Sequence, residues 1–215
     1  LNLSTPTVSL ILKKLFAQGL VKKSGVLQSS GGRKPTAISL VYNAKLSAGI
    51  EITQNHLRFV IIDLSGHVLH YKKIREPFQN DNKYFGKVAD SLELFFEENS
   101  IDPASILGVG IALPGVVDVK NGMLEYSPTL GVKNLPLEVL TSYFPYATMA
   151  NNEANLAGFA EIWTIDSIDN AIFLSVNKGV GGAIIIGNKL YNGCNGRAGE
   201  FGHMTIIPHG KRCYC

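Results

Sequence analysis

Apolar and polar positions alternate in two different rhythms along this chain. Near the N-terminus Val8, Ile11, Leu12, Leu15 and Phe16 recur at steps of three and four, which predicts a helix with one apolar stripe. Ser4 is placed to cap that helix, Pro6 falls in its first turn, and Gly19 stands where it should stop. A strand from residue 20 to 23, a loop over 29–35 and an alternating strand over 36–40 predict a hairpin. Farther on, β-rich runs lie at 46–52, 57–64 and 68–74, with Gly66 marking the last turn. Phe85, Val88, Ala89, Leu92, Phe95 and Phe96 predict a helix over 82–99. A buried-type strand over 106–113 ends at Pro114-Gly115, and a short helix is expected over 134–142. A strand end at 147–150, a helix over 152–163, and strands at 171–176 and from 180 through 186 complete the pattern. Strands interleaved with helices in this order predict a mixed sheet under helical cover, an α/β fold.

Hydrophobic residues make up 46% of the 215 and charged residues 17%, which excludes a disordered chain. No apolar run reaches the ~18 residues of a membrane helix, and no signal-peptide layout opens the chain, so a cytoplasmic protein is expected. Three cysteines, at 194, 213 and 215, are too few for a disulfide scaffold and fit a reducing compartment. The chain starts without Met and stops inside a cysteine motif, and we read it as a segment of something longer.

Charge is distributed unevenly. Residues 1–40 carry Lys13, Lys14, Lys22, Lys23, Arg33 and Lys34 and no acid, a net +6, whereas the remainder is −3. A basic head on a mildly acidic body points to a polyanionic partner, although a solvated basic face would look the same. A helix followed by a ribbon with a Gly31-Gly32-Arg33-Lys34 tip has the form of a winged helix-turn-helix, with its earlier helices before residue 1. Thr5, Thr7 and Ser9 would face outward toward base edges or phosphates. The Gly-rich tip would let the backbone approach the duplex, with Arg33 entering the minor groove. The candidate DNA contacts are Ser4, Thr5, Thr7, Ser9, Lys13, Gly31, Gly32, Arg33 and Lys34, with Lys14, Lys22 and Lys23 as further phosphate contacts.

Three stretches of the body carry candidate chemistry. Pro114-Gly115 ends a strand at a sheet edge, where ligands bind in α/β folds, but Pro-Gly is also an ordinary turn. Asn151-Asn152-Glu153 combines two amides and a carboxylate at a helix start; these can hold several hydroxyls or simply cap the helix. Glu200-Phe201-Gly202-His203 precedes Cys213-Tyr214-Cys215. One imidazole and two thiolates are three zinc ligands, and the fourth would be a residue beyond 215 or water.

Together these stretches resemble the ROK family of repressors, open reading frames and sugar kinases. The resemblance covers nearly the whole chain and is strongest over 179–187, 190–193 and 196–204. The head with Ser30-Gly31-Gly32-Arg33-Lys34-Pro35 is similar to the xylose-repressor-like and N-acetylglucosamine-repressor-like branch. The family implies an actin-like, ribonuclease-H-like sugar-kinase fold of two α/β lobes with a sugar in the cleft. It implies sugar contacts at Gly115, Asn152, Glu153, Glu200 and His203, and a structural zinc at His203, Cys213 and Cys215. The expected organisation is a partial winged helix-turn-helix head over 1–44, a first lobe over 45–150 and the start of a second lobe over 151–215.

Two departures separate this chain from the family's kinases. Their Asp-x-Gly-Gly-Thr phosphate loop corresponds here to Glu51-Ile52-Thr53-Gln54-Asn55, which lacks the glycines that let backbone wrap phosphates. Glu153 stands where they carry a catalytic Asp, one methylene too long for the same reach. The retained Gly179-Val180-Gly181-Gly182 reads as scaffold. The expectation is therefore a non-enzymatic, sugar-responsive repressor, dimeric or larger, that binds operator DNA and a sugar or sugar phosphate. The rivals are an ATP-dependent sugar kinase with a DNA-binding appendage, and a DNA-binding protein whose body only dimerises.

Overall fold

A computed structural model describes residues 3–26, 35–163, 165, 168–177, 179–194 and 196–212. Helix α1 (Thr5–Ala17) begins where expected, with the Ser4 hydroxyl accepting from the Thr7 N–H at 3.4 Å. It ends before Gly19, whose φ of +70° suits a residue without a Cβ. Strands β1 (Val21–Val26) and β2 (Thr36–Leu40) pair antiparallel, with a bulge between Lys23 and Gly25. Among the described residues one helix precedes this hairpin, so they do not by themselves complete a helix-turn-helix. The tip residues Gly31, Gly32, Arg33 and Lys34 lie outside the described residues.

Next come β3 (Leu46–Ile52), β4 (His56–Asp63), β5 (Val68–Arg75), α2 (Asn82–Glu98) and β6 (Ile106–Leu113). After β7 (Val116–Asp118), β8 (Met123–Ser127), β9 (Val132–Pro136) and α3 (Glu138–Thr141), β10 (Thr148–Asn152) runs into α4 (Glu153–Trp163). The described chain closes with β11 (Ala171–Val176), β12 (Val180–Ile186) and β13 (Lys189–Leu190).

The main sheet has the order β10-β6-β3-β4-β5. Strands β10, β6 and β3 are parallel, and β4 runs against both its neighbours. Period-two patterning sends Leu46, Ala48, Ile50 and Ile52 of β3 to one face, with Leu57, Phe59 and Ile61 of β4 and Val109, Ile111 and Leu113 of β6. Helix α2 covers that face with Phe85, Val88, Leu92, Phe95 and Phe96, and its N-terminus is capped by the Asp81 carboxylate on the Tyr84 N–H. Each of these fully buried side chains contributes roughly 1.5–3 kcal/mol from removal of apolar surface. The opposite face presents Gly49, Gly108, Gly110 and Ala112, and bounds a cavity of about 660 Å³ that α4 edges with Leu156 and Ala160.

Two expectations need correction. The helix foreseen over 134–142 divides into β9 and the four-residue α3. Leu135 is drawn into the sheet by Leu124 opposite it on β8, and helix begins only after Pro136. The strands also do not form one sheet: β7-β8-β9 make an antiparallel meander and β11-β12-β13 a separate three-stranded sheet. The meander strands are short and irregular in pattern, so periodicity gave no signal for them.

Candidate functional site

The end of β6 meets the start of α4, and the segment 196–203 lies between β12 and the meander. Gly115 has φ +114°, and a Cβ there would lie 2.3 Å from the Tyr126 carbonyl oxygen, so the turn after β6 can pack on β8 only with glycine. The Gly115 carbonyl accepts from Asn152 Nδ2 at 2.8 Å. The same side chain caps α4, its Oδ1 accepting from the Ala154 N–H at 2.8 Å and the Asn155 N–H at 3.0 Å. Asn152 thus staples the turn after β6 to the first turn of α4. Asn151 Oδ1 accepts from the Asn152 N–H at 2.7 Å.

Glu153, the first residue of α4, is open to solvent. Protein atoms around it still raise its carboxyl pKa by desolvation; the nearby Glu51 carboxylate adds to the rise and Arg58 opposes it. Behind Glu153, Ala154 packs against Gly181, where an added Cβ would stand 3.1 Å from the Ala154 Cβ. Segment 196–203 then lies against β12: a Cβ on Gly199 would fall 2.5 Å from the Gly182 carbonyl oxygen, and one on Gly202 2.1 Å from that of Val180. The glycines of this motif therefore allow backbone to lie on backbone. The other side of the segment meets the meander, with Gly196 close to the Val117 carbonyl and Arg197 Nη2 3.2 Å from Glu125 Oε2. Glu200 precedes and His203 ends a 3-10 turn, Phe201–His203, with Oε2 and Nε2 3.6 Å apart and both side chains partly exposed.

Sequence reading placed Gly115, Asn152, Glu153, Glu200 and His203 in one site, and the fold links the segments that carry them. None of the five lines the 660 Å³ cavity. Among the described residues no three His, Cys, Asp or Glu side chains form a metal-binding group, and Cys213 and Cys215 lie outside those residues. Cys194 is exposed and free. In the head, Ser4, Thr5, Thr7, Ser9, Lys13, Lys14, Lys22 and Lys23 are all exposed, and the Ser4 and Thr7 hydroxyls pair at 2.9 Å.

One ion pair escaped the sequence reading. Glu51 Oε2 and Arg58 Nη1 lie 2.5 Å apart across β3 and β4, at the rim of the cavity. The two-residue loop Gln54-Asn55 fixes the register that sets them opposite, and counting outward from that loop could have found them. The loop is closed on itself: Thr53 N–H donates to the His56 carbonyl at 3.0 Å, and His56 N–H to Thr53 Oγ1 at 3.0 Å.

A profile described as "ROK family" matches residues 47–215. The chain belongs to the ROK family. This ROK chain is 30% identical over 221 residues to the xylose repressor of Bacillus subtilis (strain 168), covering 100% of this chain and 56% of that protein. It is 27% identical over 219 residues to the DNA-binding transcriptional dual regulator NagC of Escherichia coli (strain K12), covering 100% and 53%. It thus spans about half the length of the curated relatives it matches. Among solved structures, a ROK family transcriptional regulator described as a homolog of the E. coli MLC protein shares the fold at TM-score 0.74 and 24% identity, over 99% of this chain and 55% of that one. A ROK family glucokinase from Streptomyces griseus, solved with glucose and AMPPNP, aligns at TM-score 0.65 and 27% identity, over 77% of this chain and 52% of that one. No helix among the described residues is long and apolar enough to cross a membrane.

Proposed function

We propose that this chain is part of a sugar-responsive transcriptional repressor whose head binds operator DNA and whose body senses a sugar. The observation that carries the reading is where the likenesses stop. The family profile begins at residue 47 and the glucokinase covers 77% of the chain, whereas the xylose repressor matches all of it. The part that the family profile leaves unmatched, before residue 47, holds the helix, the hairpin and the +6 of residues 1–40. On this reading residues 1–44 are the DNA-binding head, 45–150 the first lobe and 151–215 the start of the second.

In the head, the exposed first turn of α1 would enter the major groove, Lys13, Lys14, Lys22 and Lys23 would meet phosphates, and Arg33 would reach the minor groove. In the body, Glu153, Glu200 and His203 would accept or donate to sugar hydroxyls, while Asn152 holds the Gly115 turn in place. Sugar would shift the lobes only through unequal affinity for two arrangements, and a symmetric dimer would carry that shift to two heads. A non-catalytic body is supported by Thr53 and Gln54 standing where the kinases carry the glycines of their phosphate loop. We extend the reading to a structural zinc on His203, Cys213 and Cys215. It suits the donor types, and it would pin the segment carrying Glu200 and His203.

The test is anisotropy of DNA from upstream of the protein's own gene, with the intact protein, at two salt concentrations, with and without a panel of sugars. Salt-sensitive, sequence-preferring binding that one sugar shifts tenfold or more is the expected result. Arg33→Ala should weaken operator binding and leave sugar affinity unchanged; an equal fall in both would refute the two-module reading.

A further inference from the structure

We propose that Trp163 is a positioning residue that carries the sugar signal from α4 to the DNA-binding head by way of the β4–β5 turn. The inference rests on the sugar-sensing reading above and deepens it by naming the contact through which the body moves the head.

Helix α4 begins at Glu153, a candidate sugar contact, and ends at Trp163. At its start Asn152 ties it to the Gly115 turn after β6. Along its side Gly158 seats it on β11 and β12, so closely that an added Cβ would stand 2.9 Å from that of Phe173 and 2.7 Å from that of Ala183. At its end the Trp163 indole reaches the main sheet again. A Cβ on Gly66 would lie 3.7 Å from Trp163 Cδ1 and 3.9 Å from Nε1, which is ordinary van der Waals contact. Phe159, one turn earlier on α4, stands beside the indole with ring centroids 6.2 Å apart.

Gly66 belongs to the turn between β4 and β5, which its own hydrogen bonds stiffen. Asp63 Oδ1 accepts from the Ser65 N–H at 2.8 Å, the Ser65 hydroxyl at 2.6 Å and the His67 N–H at 3.1 Å. Leu64 of the same turn donates its N–H to the Tyr42 carbonyl at 3.0 Å. The residue before Tyr42, Val41, donates its N–H to the Leu20 carbonyl at the foot of the hairpin at 2.9 Å. Adjacent residues are thus bonded one to the head and the other to the turn, which leaves no slack between them. A ligand held at Glu153 that tilts α4 by about 4° moves its far end, ~15 Å away, by about 1 Å. A gap of that size forfeits roughly a quarter to a half of the dispersion attraction between the indole and Gly66. The indole seated on Gly66 and the indole lifted off are two arrangements that sugar and operator can each bias. Trp163 is 67% exposed, so this contact is separate from the core and can be made and broken without unfolding it.

Operator binding by the intact protein, followed by anisotropy, tests the proposal. The probes are D-xylose, D-glucose, N-acetyl-D-glucosamine and their 5- or 6-phosphates. The readout is the ratio of operator Kd values with and without the probe that gives the largest response. Trp163→Ala should shrink that ratio threefold or more. Its affinity for the same probe without DNA, by isothermal titration, should stay within twofold of wild type, which also shows that the variant is folded. Trp163→Phe keeps an aromatic ring and should recover part of the ratio. Two glycines inserted between Val41 and Tyr42 part the two backbone bonds and should shrink the ratio as Trp163→Ala does. An unchanged ratio in Trp163→Ala overturns the proposal, and so does a probe affinity that falls in step with the ratio, because Trp163 would then act on the sugar site. An unchanged ratio in the insertion variant overturns the route through Tyr42. If no probe alters operator binding by the wild-type protein, the sugar-sensing reading itself fails.

Discussion

Replacing Asn152 by alanine should test how the candidate site is held together, because one side chain makes three bonds there. Its Oδ1 accepts from two backbone N–H groups in the first turn of α4, at 2.8 and 3.0 Å, and its Nδ2 donates to the Gly115 carbonyl at 2.8 Å. Loss of an N-cap costs ~1 kcal/mol. Leaving the partly buried Gly115 carbonyl unpaired costs ~1 kcal/mol more. Asn152→Ala should therefore destabilise by ~2 kcal/mol, or about 4–8 °C in melting temperature for a domain of this size. Asn152→Asp separates the two contributions. It keeps the capping acceptor and adds a favourable charge at the helix start, but turns a second acceptor toward the Gly115 carbonyl. Its cost should be ~1 kcal/mol. Urea unfolding followed by circular dichroism and by the fluorescence of Trp163, the sole tryptophan of these 215 residues, measures both variants. An alanine variant within 0.5 kcal/mol (about the scatter of surface substitutions) would falsify the staple. An aspartate variant as stable as wild type would remove the Gly115 bond from the account.

Two further substitutions probe the packing and the charge. Gly158→Ala places a Cβ 2.7 Å from that of Ala183 and 2.9 Å from that of Phe173, so α4 must lift off β11 and β12. Overpacking of ~1–3 kcal/mol should outweigh the helix-propensity gain of ~1 kcal/mol; a variant that melts higher than wild type would mean α4 is not seated this closely. Glu153→Gln should stabilise at pH 7. The folded state raises the Glu153 pKa, so stability tied to its protonated form is present below the ordinary carboxyl range and lost as pH rises through the raised value. Solvent screening holds the gain under ~1 kcal/mol, and it should vanish below pH ~4, where wild type is protonated folded or unfolded. A gain that persists there in thermal melts would assign it to something other than charge.

Much of the architecture was legible in the order of residues. The stripe from Val8 to Phe16, the alternation of β3 and β4 and the apolar face of α2 carry their periods locally, and each formed the element it announced. The glycines around 179–202 were legible as a motif but not as a mechanism. Their cause is the approach of Gly199 and Gly202 to the backbone of β12, a contact between distant segments. The meander was not legible, because a three-residue strand such as β7 has too few positions to show a period and exists only by pairing with β8.

The candidate site divides the same way. The residues themselves marked Asn152 and Glu153 as groups able to hold hydroxyls, the family resemblance added Glu200 and His203, and the uneven charge marked the head. That Asn152 spends its amide on Gly115 and α4, and that Arg58 is engaged with Glu51 across β3 and β4, was decided in three dimensions. Side-chain chemistry belongs to a residue wherever it stands, so sequence determined which groups were available. Which of them remain free for a ligand depends on hydrogen-bond partners and countercharges from other strands, and only the tertiary structure brings those within reach.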